Sequence, residues 1–139
     1  MTDHHDQGAR ARSEALARSY FERVWNGEEN DLGAIDQLMS DDYVIHSGGT
    51  AIRGRAAFKA WVGVFQTKLL AASNDVHEVF ASGTGDRVAT RWDCSGLNEG
   101  LFPDQPAGAR ISFSGIAIFR VDAGRLTECW VERAAPVAP

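Results

Sequence analysis

The spacing of the apolar residues changes near Ala72, and this change constrains the fold more than any other feature of the sequence. Before Ala72, apolar side chains recur every three or four residues, which is the spacing of one face of an α-helix. After it they alternate with polar side chains, as in a strand with one buried face. We therefore predict helices in the first half of the chain and an antiparallel sheet in the second, an α+β fold rather than an α/β fold.

Three helices are predicted before Ala72. In the first, Leu16, Tyr20 and Val24 recur at every fourth position and form one apolar stripe. A short strand is predicted between the second helix and the third. The helices cover about residues 11–25, 31–40 and 55–70, and the strand covers Tyr43–His46.

Four strands are predicted after Ala72, with turn-forming or irregular segments between them. They cover residues 76–81, 87–95, 110–121 and 125–133. The third is apolar on both faces, because Phe113 and Phe119 alternate with Ile116 and Ile118. Such a sheet needs two covers. The helices can cover one face, and a second copy of the chain is the economical cover for the other, although a helix across the back would serve as well.

The chain has 139 residues, which fits one domain, since domains typically take about 100 to 200 residues. Residues 1–9 show no apolar periodicity. We therefore expect a disordered tail over residues 1–9, followed by a single domain over residues 10–135.

The charge balance argues against a nucleic-acid or membrane partner. The 14 Lys and Arg stand against 19 Asp and Glu, a net charge of −5, and an acidic surface does not attract phosphate backbones or anionic lipid. No apolar run approaches the ~20 residues that cross a bilayer. The chain has only Cys94 and Cys129, and its N-terminus is polar where a secretory signal would be basic and then apolar, so we expect a cytoplasmic protein.

Five segments in this order and spacing resemble the SnoaL-like polyketide cyclases, a branch of the NTF2-like fold. They are Tyr20–Asn26, Asp42–His46, Gly85–Trp92, Phe113–Arg120 and Gly124–Trp130. The resemblance runs from about Ala15 to Arg133. It implies a cone in which three N-terminal helices pack on a curved antiparallel sheet and enclose an apolar cavity.

The resemblance also implies an activity. The cyclases of this family close a ring by intramolecular aldol condensation, without a metal or an organic cofactor, and their activity is associated with an Asp on a sheet strand and a His in a loop. In this sequence Ala117 and Asn98 occupy the corresponding positions. Alanine cannot move a proton, and an amide does not titrate near neutral pH.

We therefore expect a cyclase of polyketide-type secondary metabolism, such as antibiotic biosynthesis, that closes a ring by shape and hydrogen bonding. A pericyclic closure needs the reacting ends held together and a donor, from Asn98 or a Trp N–H, at an activating carbonyl. Aldol closure with substituted acid and base residues stays an alternative, as does a binding protein without catalysis. A cofactor-free epoxide hydrolase is disfavoured, because Arg91 and Asp93 face away from Trp92.

Three polar residues are candidates for the chemistry. Asn98 could hold a carbonyl or hydroxyl group, His46 can carry a proton near neutral pH, and Glu128 could be a buried base. Two of them have plain structural interpretations, since Asn98 can cap a loop turn and His46 can be a hydrogen-bonded residue at a strand end.

The predicted ligand is a hydrophobic, polyketide-like small molecule, because aromatic walls with few polar groups suit such a chain. The residues expected to contact it are Trp25, Tyr43, Trp61, Phe65, Trp92, Phe113, Ala117, Phe119 and Trp130.

Overall fold

Helices occupy the first half of the chain and a six-stranded sheet occupies most of the second. The computed structural model describes residues 3–26 and 31–137. Its elements are α1 (Asp3–Tyr20), which continues as a π-helical turn (Phe21–Trp25), α2 (Gly33–Leu38), β1 (Met39–Ser47), β2 (Thr50–Arg53), α3 (Arg55–Lys68), β3 (Leu69–Ala81), β4 (Arg87–Asn98), β5 (Arg110–Asp122) and β6 (Arg125–Arg133). The predicted α+β class is confirmed.

The sheet has the strand order β2-β1-β6-β5-β4-β3. Strands β3 to β6 form an antiparallel meander, and β1 joins its end by pairing in parallel with β6. The helices pack on one face of the curved sheet, as the resemblance to the NTF2-like cone implies. Between them lies the core, in which Tyr43, Phe58 and Phe119 are among the largest fully buried side chains.

The first helix starts earlier than predicted. It begins at Asp3, so the expected disordered tail over residues 1–9 is wrong from that residue on, while residues 1 and 2 lie outside the described part of the chain. The helix is held on the turn between β3 and β4, where the Ser13 hydroxyl donates to the Gly85 carbonyl at 2.6 Å. A Cβ at Gly85 would come within 2.8 Å of the Ala9 backbone, so close packing continues along the helix. These contacts join parts of the chain that are distant in the sequence. They therefore produce no apolar periodicity in residues 1–9 from which a helix could be predicted.

The sheet differs from the prediction in two ways: some strands are longer than predicted, and one strand was missed. Strand β3 begins at Leu69 rather than Val76 because register shifts interrupt its pairing with β4 and thereby hide the alternation of apolar and polar residues. Strand β1 likewise begins at Met39, where the sequence predicted the end of the second helix. Strand β2 was not predicted.

The face of the sheet opposite the helices carries exposed apolar side chains. Ile116 is 52% exposed, Ile118 40% and Trp130 37%. We call this surface the outer face. Within residues 3–26 and 31–137, no helix has the length and apolar character needed to span a membrane.

Candidate functional site

A narrow cavity lies between the helices and the inner face of the sheet. It contains about 570 Å³ of atom-free space, counting its open mouth, and the centre of a water molecule can occupy about 60 Å³ of this. Eight of the nine predicted contact residues line it: Trp25, Tyr43, Trp61, Phe65, Trp92, Phe113, Ala117 and Phe119. Their location is therefore as predicted, and their role in binding stays a prediction.

The aromatic rings support one another at edge-on and tilted angles. The Phe65 ring lies 5.1 Å from Trp25 and 5.3 Å from Trp61, measured between centroids. On the sheet, the side chain of Trp92 lies over Gly115 of the neighbouring strand, where any Cβ would collide with the indole ring. Sequence reasoning missed this role of Gly115.

Sequence reasoning also missed half of the lining. The additional residues are Tyr20, Phe21, Ile45, Ser47, Asn74, Cys94, Cys129, Val131 and Arg133. A signal for several of them was present, because Cys94 lies two residues from Trp92 and Ile45 two residues from Tyr43, on the same strand face.

Two buried hydrogen-bond donors inside the cavity make no hydrogen bond of standard geometry with the described residues. They are the Trp92 Nε1–H and the Tyr43 hydroxyl. Beside the Tyr43 hydroxyl lies the Cys129 sulfur, which is only a weak acceptor. By contrast, the Trp25 Nε1–H donates to the Tyr20 hydroxyl oxygen at 2.9 Å. A buried donor without a partner costs about 1 to 3 kcal/mol, so a ligand carbonyl that accepts from Tyr43 or Trp92 would remove this cost.

The titratable groups deep in the cavity hold their protons at neutral pH. Burial raises the pKa of both Tyr20 and Tyr43 well above the ordinary tyrosine value. Burial also raises the pKa of the Cys94 and Cys129 thiols to about 12. None of the described lining residues is a carboxylate or an imidazole. The cavity can therefore donate hydrogen bonds but has no group suited to remove a proton near pH 7.

Arg133 is the charged residue of the lining. It ends β6 on the inner face, and its guanidinium carbon lies 5.5 Å from the centroid of Phe113 and 5.9 Å from that of Phe65. The residue is exposed at the cavity mouth. Partial burial of the guanidinium nevertheless lowers the pKa of Arg133.

Asn98 does not face the cavity, so the prediction that it holds the substrate is wrong. Its side-chain amide donates to the carbonyls of Phe102 and Gln105 at 3.0 Å and of Pro106 at 3.3 Å, and its oxygen accepts from the Phe102 N–H at 3.1 Å. The amide therefore holds the loop between β4 and β5, which agrees with the structural interpretation of this residue.

His46, Glu128 and Trp130 lie on the outer face and not in the cavity, so their predicted places at the site are wrong. His46 Nε2 lies 2.7 Å from Glu128 Oε2, and the His46 ring stacks on Trp130 with 5.5 Å between centroids. His46 follows Ile45 on β1, whose side chain points inward, and therefore points outward. For Glu128 and Trp130 the reason is a register shift in the pairing of β5 with β6: Val121 pairs with Leu126, whereas Arg120 pairs with Glu128. This extra residue reverses the inward and outward positions along β6.

The structure resembles many solved proteins. A candidate SnoaL-like polyketide cyclase from Jannaschia sp. CCS1 aligns with a TM-score of 0.80 at 16% identity, over 90% of this chain and 87% of that one. IdmH, a candidate polyketide cyclase from Streptomyces antibioticus, aligns with a TM-score of 0.73 at 23% identity, over 87% and 91%. An LEH-like epoxide hydrolase from M. tuberculosis aligns with a TM-score of 0.71 at 20% identity, over 90% and 80%. At these identities the likeness concerns the fold.

No curated protein matches the sequence significantly. The family model of the SnoaL-like domain, however, matches residues 17–129, a stretch that holds the whole aromatic lining of the cavity. This chain therefore belongs to the family of SnoaL-like domains.

Proposed function

We propose that this protein closes a ring in a polyketide-type intermediate by holding the reacting ends together and by donating hydrogen bonds, without a metal or an organic cofactor. The observation that carries the proposal is a pair of buried donors, in a cavity whose described lining offers no base. The Trp92 N–H has no partner among the described residues, and the Tyr43 hydroxyl has only the weak Cys129 acceptor. Membership of the SnoaL-like family supports a role in polyketide chemistry, since several solved structures that resemble this chain are candidate polyketide cyclases.

The chemistry that fits this cavity is a cycloaddition within one chain. A conjugated diene and an alkene bearing a carbonyl exchange three π bonds for two σ bonds and one π bond, and no atom or proton is gained or lost. Holding the two ends in a reactive arrangement supplies effective molarities of about 10⁵ M or more in favourable cases. A hydrogen bond to the carbonyl lowers the barrier further, because it withdraws electron density from the alkene.

Aldol closure with substituted acid and base residues fits this cavity less well than a cycloaddition. It requires a base that removes a proton beside a carbonyl, and the Cys94 and Cys129 thiols hold their protons with pKa values of about 12. His46 and Glu128 lie on the other side of the sheet. Binding without turnover is the second candidate, because the same lining can hold a ligand without transforming it.

The test uses 1,7,9-decatrien-3-one, a linear ketone that carries a diene and a carbonyl-activated alkene. We expect the protein to accelerate formation of the bicyclic product over buffer, measured by gas chromatography, and the rate to stay constant between about pH 6 and pH 8.5, because no group in the cavity titrates there. Tyr43→Phe and Trp92→Phe should each lower the rate about fivefold, the effect of a hydrogen bond worth about 1 kcal/mol.

Glu128→Gln is the matched control, since it removes a carboxylate from the outer face and should leave the rate unchanged. A rate that falls in Glu128→Gln, or that rises with pH as a base deprotonates, would support proton transfer and contradict the proposal. Quenching of the tryptophan fluorescence by the ketone without acceleration would favour the binding protein.

We also propose that two copies of the chain associate through the outer face. The apolar side chains of Ile116, Ile118 and Trp130 support this assembly, since they are exposed on one side of the sheet in a single chain.

A further inference from the structure

The mouth of the cavity contains the cation Arg133, which has no counter-charge among the described residues. No carboxylate lies within ion-pair distance of Arg133 in residues 3–26 and 31–137. Two arginines of the outer face are paired: Arg91 lies 3.4 Å from Glu78, and Arg120 lies 3.5 Å from Glu128. What distinguishes Arg133 is its place, because it lies on the inner face and lines the cavity.

Among the described residues, no hydrogen bond occupies the N–H donors of Arg133. The rings of Phe65 and Phe113 attract the guanidinium through their faces but accept no conventional hydrogen bond. The described contacts of Arg133 include no hydrogen bond to a carbonyl, whereas Arg125 donates to the Asp36 carbonyl. A partly desolvated guanidinium with free donors is a receptor for a planar anion, which it can bind with two parallel hydrogen bonds.

A second polar group lies at the same end of the sheet. Asn74 pairs with Cys94, and Cys94 pairs with Phe113, two residues from the Gly115 partner of Arg133. Asn74 is buried and lines the cavity. Its backbone is fixed by Asn26, which donates to the Asn74 carbonyl and accepts from the Asn74 N–H at 2.7 Å each. The polar groups of the mouth are thus held on rigid backbone.

The backbone of Tyr43 is separated from this end along the sheet. Val44, the residue after Tyr43, pairs with Glu128, five residues before Arg133 on β6. Five residues of a strand span about 17 Å. The cavity therefore combines a cation at its mouth, aromatic walls and a neutral donor on a residue whose backbone lies away from the mouth, a combination that suits an apolar molecule with an anion at one terminus.

We propose that Arg133 binds a free carboxylate at one end of the substrate, so that the protein acts on a long unsaturated acid and not on its ester or carrier-bound thioester. A single guanidinium balances the single charge of a carboxylate, and the lining provides no second cation for a phosphate dianion. This inference rests on the proposed function for the identity of the site. It also implies that a hydrolytic reaction, which releases an acyl chain from its thioester, supplies the substrate.

The test measures the affinity of ligands for the protein and does not depend on ring closure. The probe is trans-parinaric acid, a fluorescent tetraene acid, compared with its methyl ester. We expect the acid to bind about tenfold to hundredfold more tightly than the ester, the range of a charge-assisted hydrogen bond. Arg133→Met should remove this preference while leaving the affinity for the ester unchanged, which shows that the cavity is intact. Arg133→Lys should retain part of the preference.

Arg91→Met is the matched control, because it removes the same charge from the outer face of the sheet. We expect it to keep the preference for the acid. A third ligand, the thioester of the same chain with 4′-phosphopantetheine, tests the alternative anion. Tight binding of this thioester that depends on Arg133 would assign the site to a carrier phosphate and overturn the proposal.

Three further results would overturn it: equal affinities for acid and ester, an acid that does not bind, and a preference that survives in Arg133→Met. These outcomes are distinct from failure of the proposed function. A protein that prefers the acid but never accelerates ring closure would retain the carboxylate site and lose the cyclase assignment.

Discussion

Individual side chains in the cavity keep their protons because water is excluded from them. Cys94 is 3% exposed and Cys129 2% exposed, and burial raises the pKa of each thiol by more than Arg133 lowers that of Cys94 or Tyr43 lowers that of Cys129. A neutral thiol or phenol can donate a hydrogen bond to a carbonyl, but it cannot act as a base. The cavity thus selects reactions that need positioning and polarisation over reactions that need proton removal.

The same burial predicts a loss of stability in alkali. The unfolded chain releases the thiol protons above its ordinary pKa of 9.0, whereas the folded chain keeps them until about pH 12. Folding stability is therefore constant below pH 9 and falls between pH 9 and pH 12, by about 1.4 kcal/mol per pH unit for each thiol. Urea unfolding should show about 3 kcal/mol less stability at about pH 10 than at about pH 8.

The double variant Cys94→Ala, Cys129→Ala is the control for this effect. It removes both thiols, so its unfolding free energy should fall by only about 1 kcal/mol over the same interval, the part that the buried Tyr20 and Tyr43 contribute. An equal loss in the variant would show that other groups cause the alkaline weakening.

At the residue scale, the sequence predicts the aromatic walls well and the polar site poorly. Alternation along a regular strand places Phe113, Ala117 and Phe119 on the inner face, as found. Trp130 fails because one extra residue in β6 reverses the alternation, and such an irregularity has no signature in the residue pattern. Arg133 was missed for the same reason, since the unshifted pattern places it on the outer face.

At the scale of elements, the segment between β4 and β5 is organised by one side chain. The Asn98 amide makes four hydrogen bonds to the backbone of this loop, and the loop in turn sets the ring of Phe102 5.4 Å from that of Phe113. Asn98 is 1% exposed, so water cannot replace these bonds. The loop is therefore part of the wall behind the cavity.

Asn98→Ala should destabilise the protein by about 2 to 4 kcal/mol, because it leaves several buried backbone groups without partners. Urea unfolding measures the loss, and limited proteolysis should show faster cleavage within residues 99–109. Asn74→Ala is the comparison, since it removes a buried amide for which the described contacts include no side-chain hydrogen bond. If the Asn98→Ala variant has the same unfolding free energy as the Asn74→Ala variant, Asn98 does not organise the loop.

Some helices and strands were predicted with the right bounds and others were not, and the difference has a physical cause. The bounds of β6 are as predicted, because turn residues precede it and its composition is strongly strand-forming. The first part of β3 and the start of α1 were missed, because bulges disturb the alternation in one and distant contacts stabilise the other. Short-range patterns identify elements whose stability is local, and these two depend on their partners.

At the scale of the whole molecule, the sheet has two faces with different tasks. The inner face encloses the cavity, and the outer face shows Ile116, Ile118 and Trp130 to solvent beside the paired charges of Arg120 and Glu128. An apolar centre with polar groups around it is typical of a surface that another protein covers. A two-fold association would place the same residues of both copies against each other.

We expect the protein to sediment as a dimer, with twice the 15.1 kDa mass of one chain, in analytical ultracentrifugation. The double variant Ile116→Lys, Ile118→Lys should sediment as a monomer, because it brings like charges together in the centre of the contact. Val64→Lys places the same charge on an exposed apolar residue of α3, away from the sheet, and should remain dimeric. A monomeric native chain, or dissociation by Val64→Lys alone, would show that the outer face is not the interface. If the double variant separates the copies yet keeps its cavity, it should still bind trans-parinaric acid, because the described lining lies on the inner face and the substituted residues lie on the outer one.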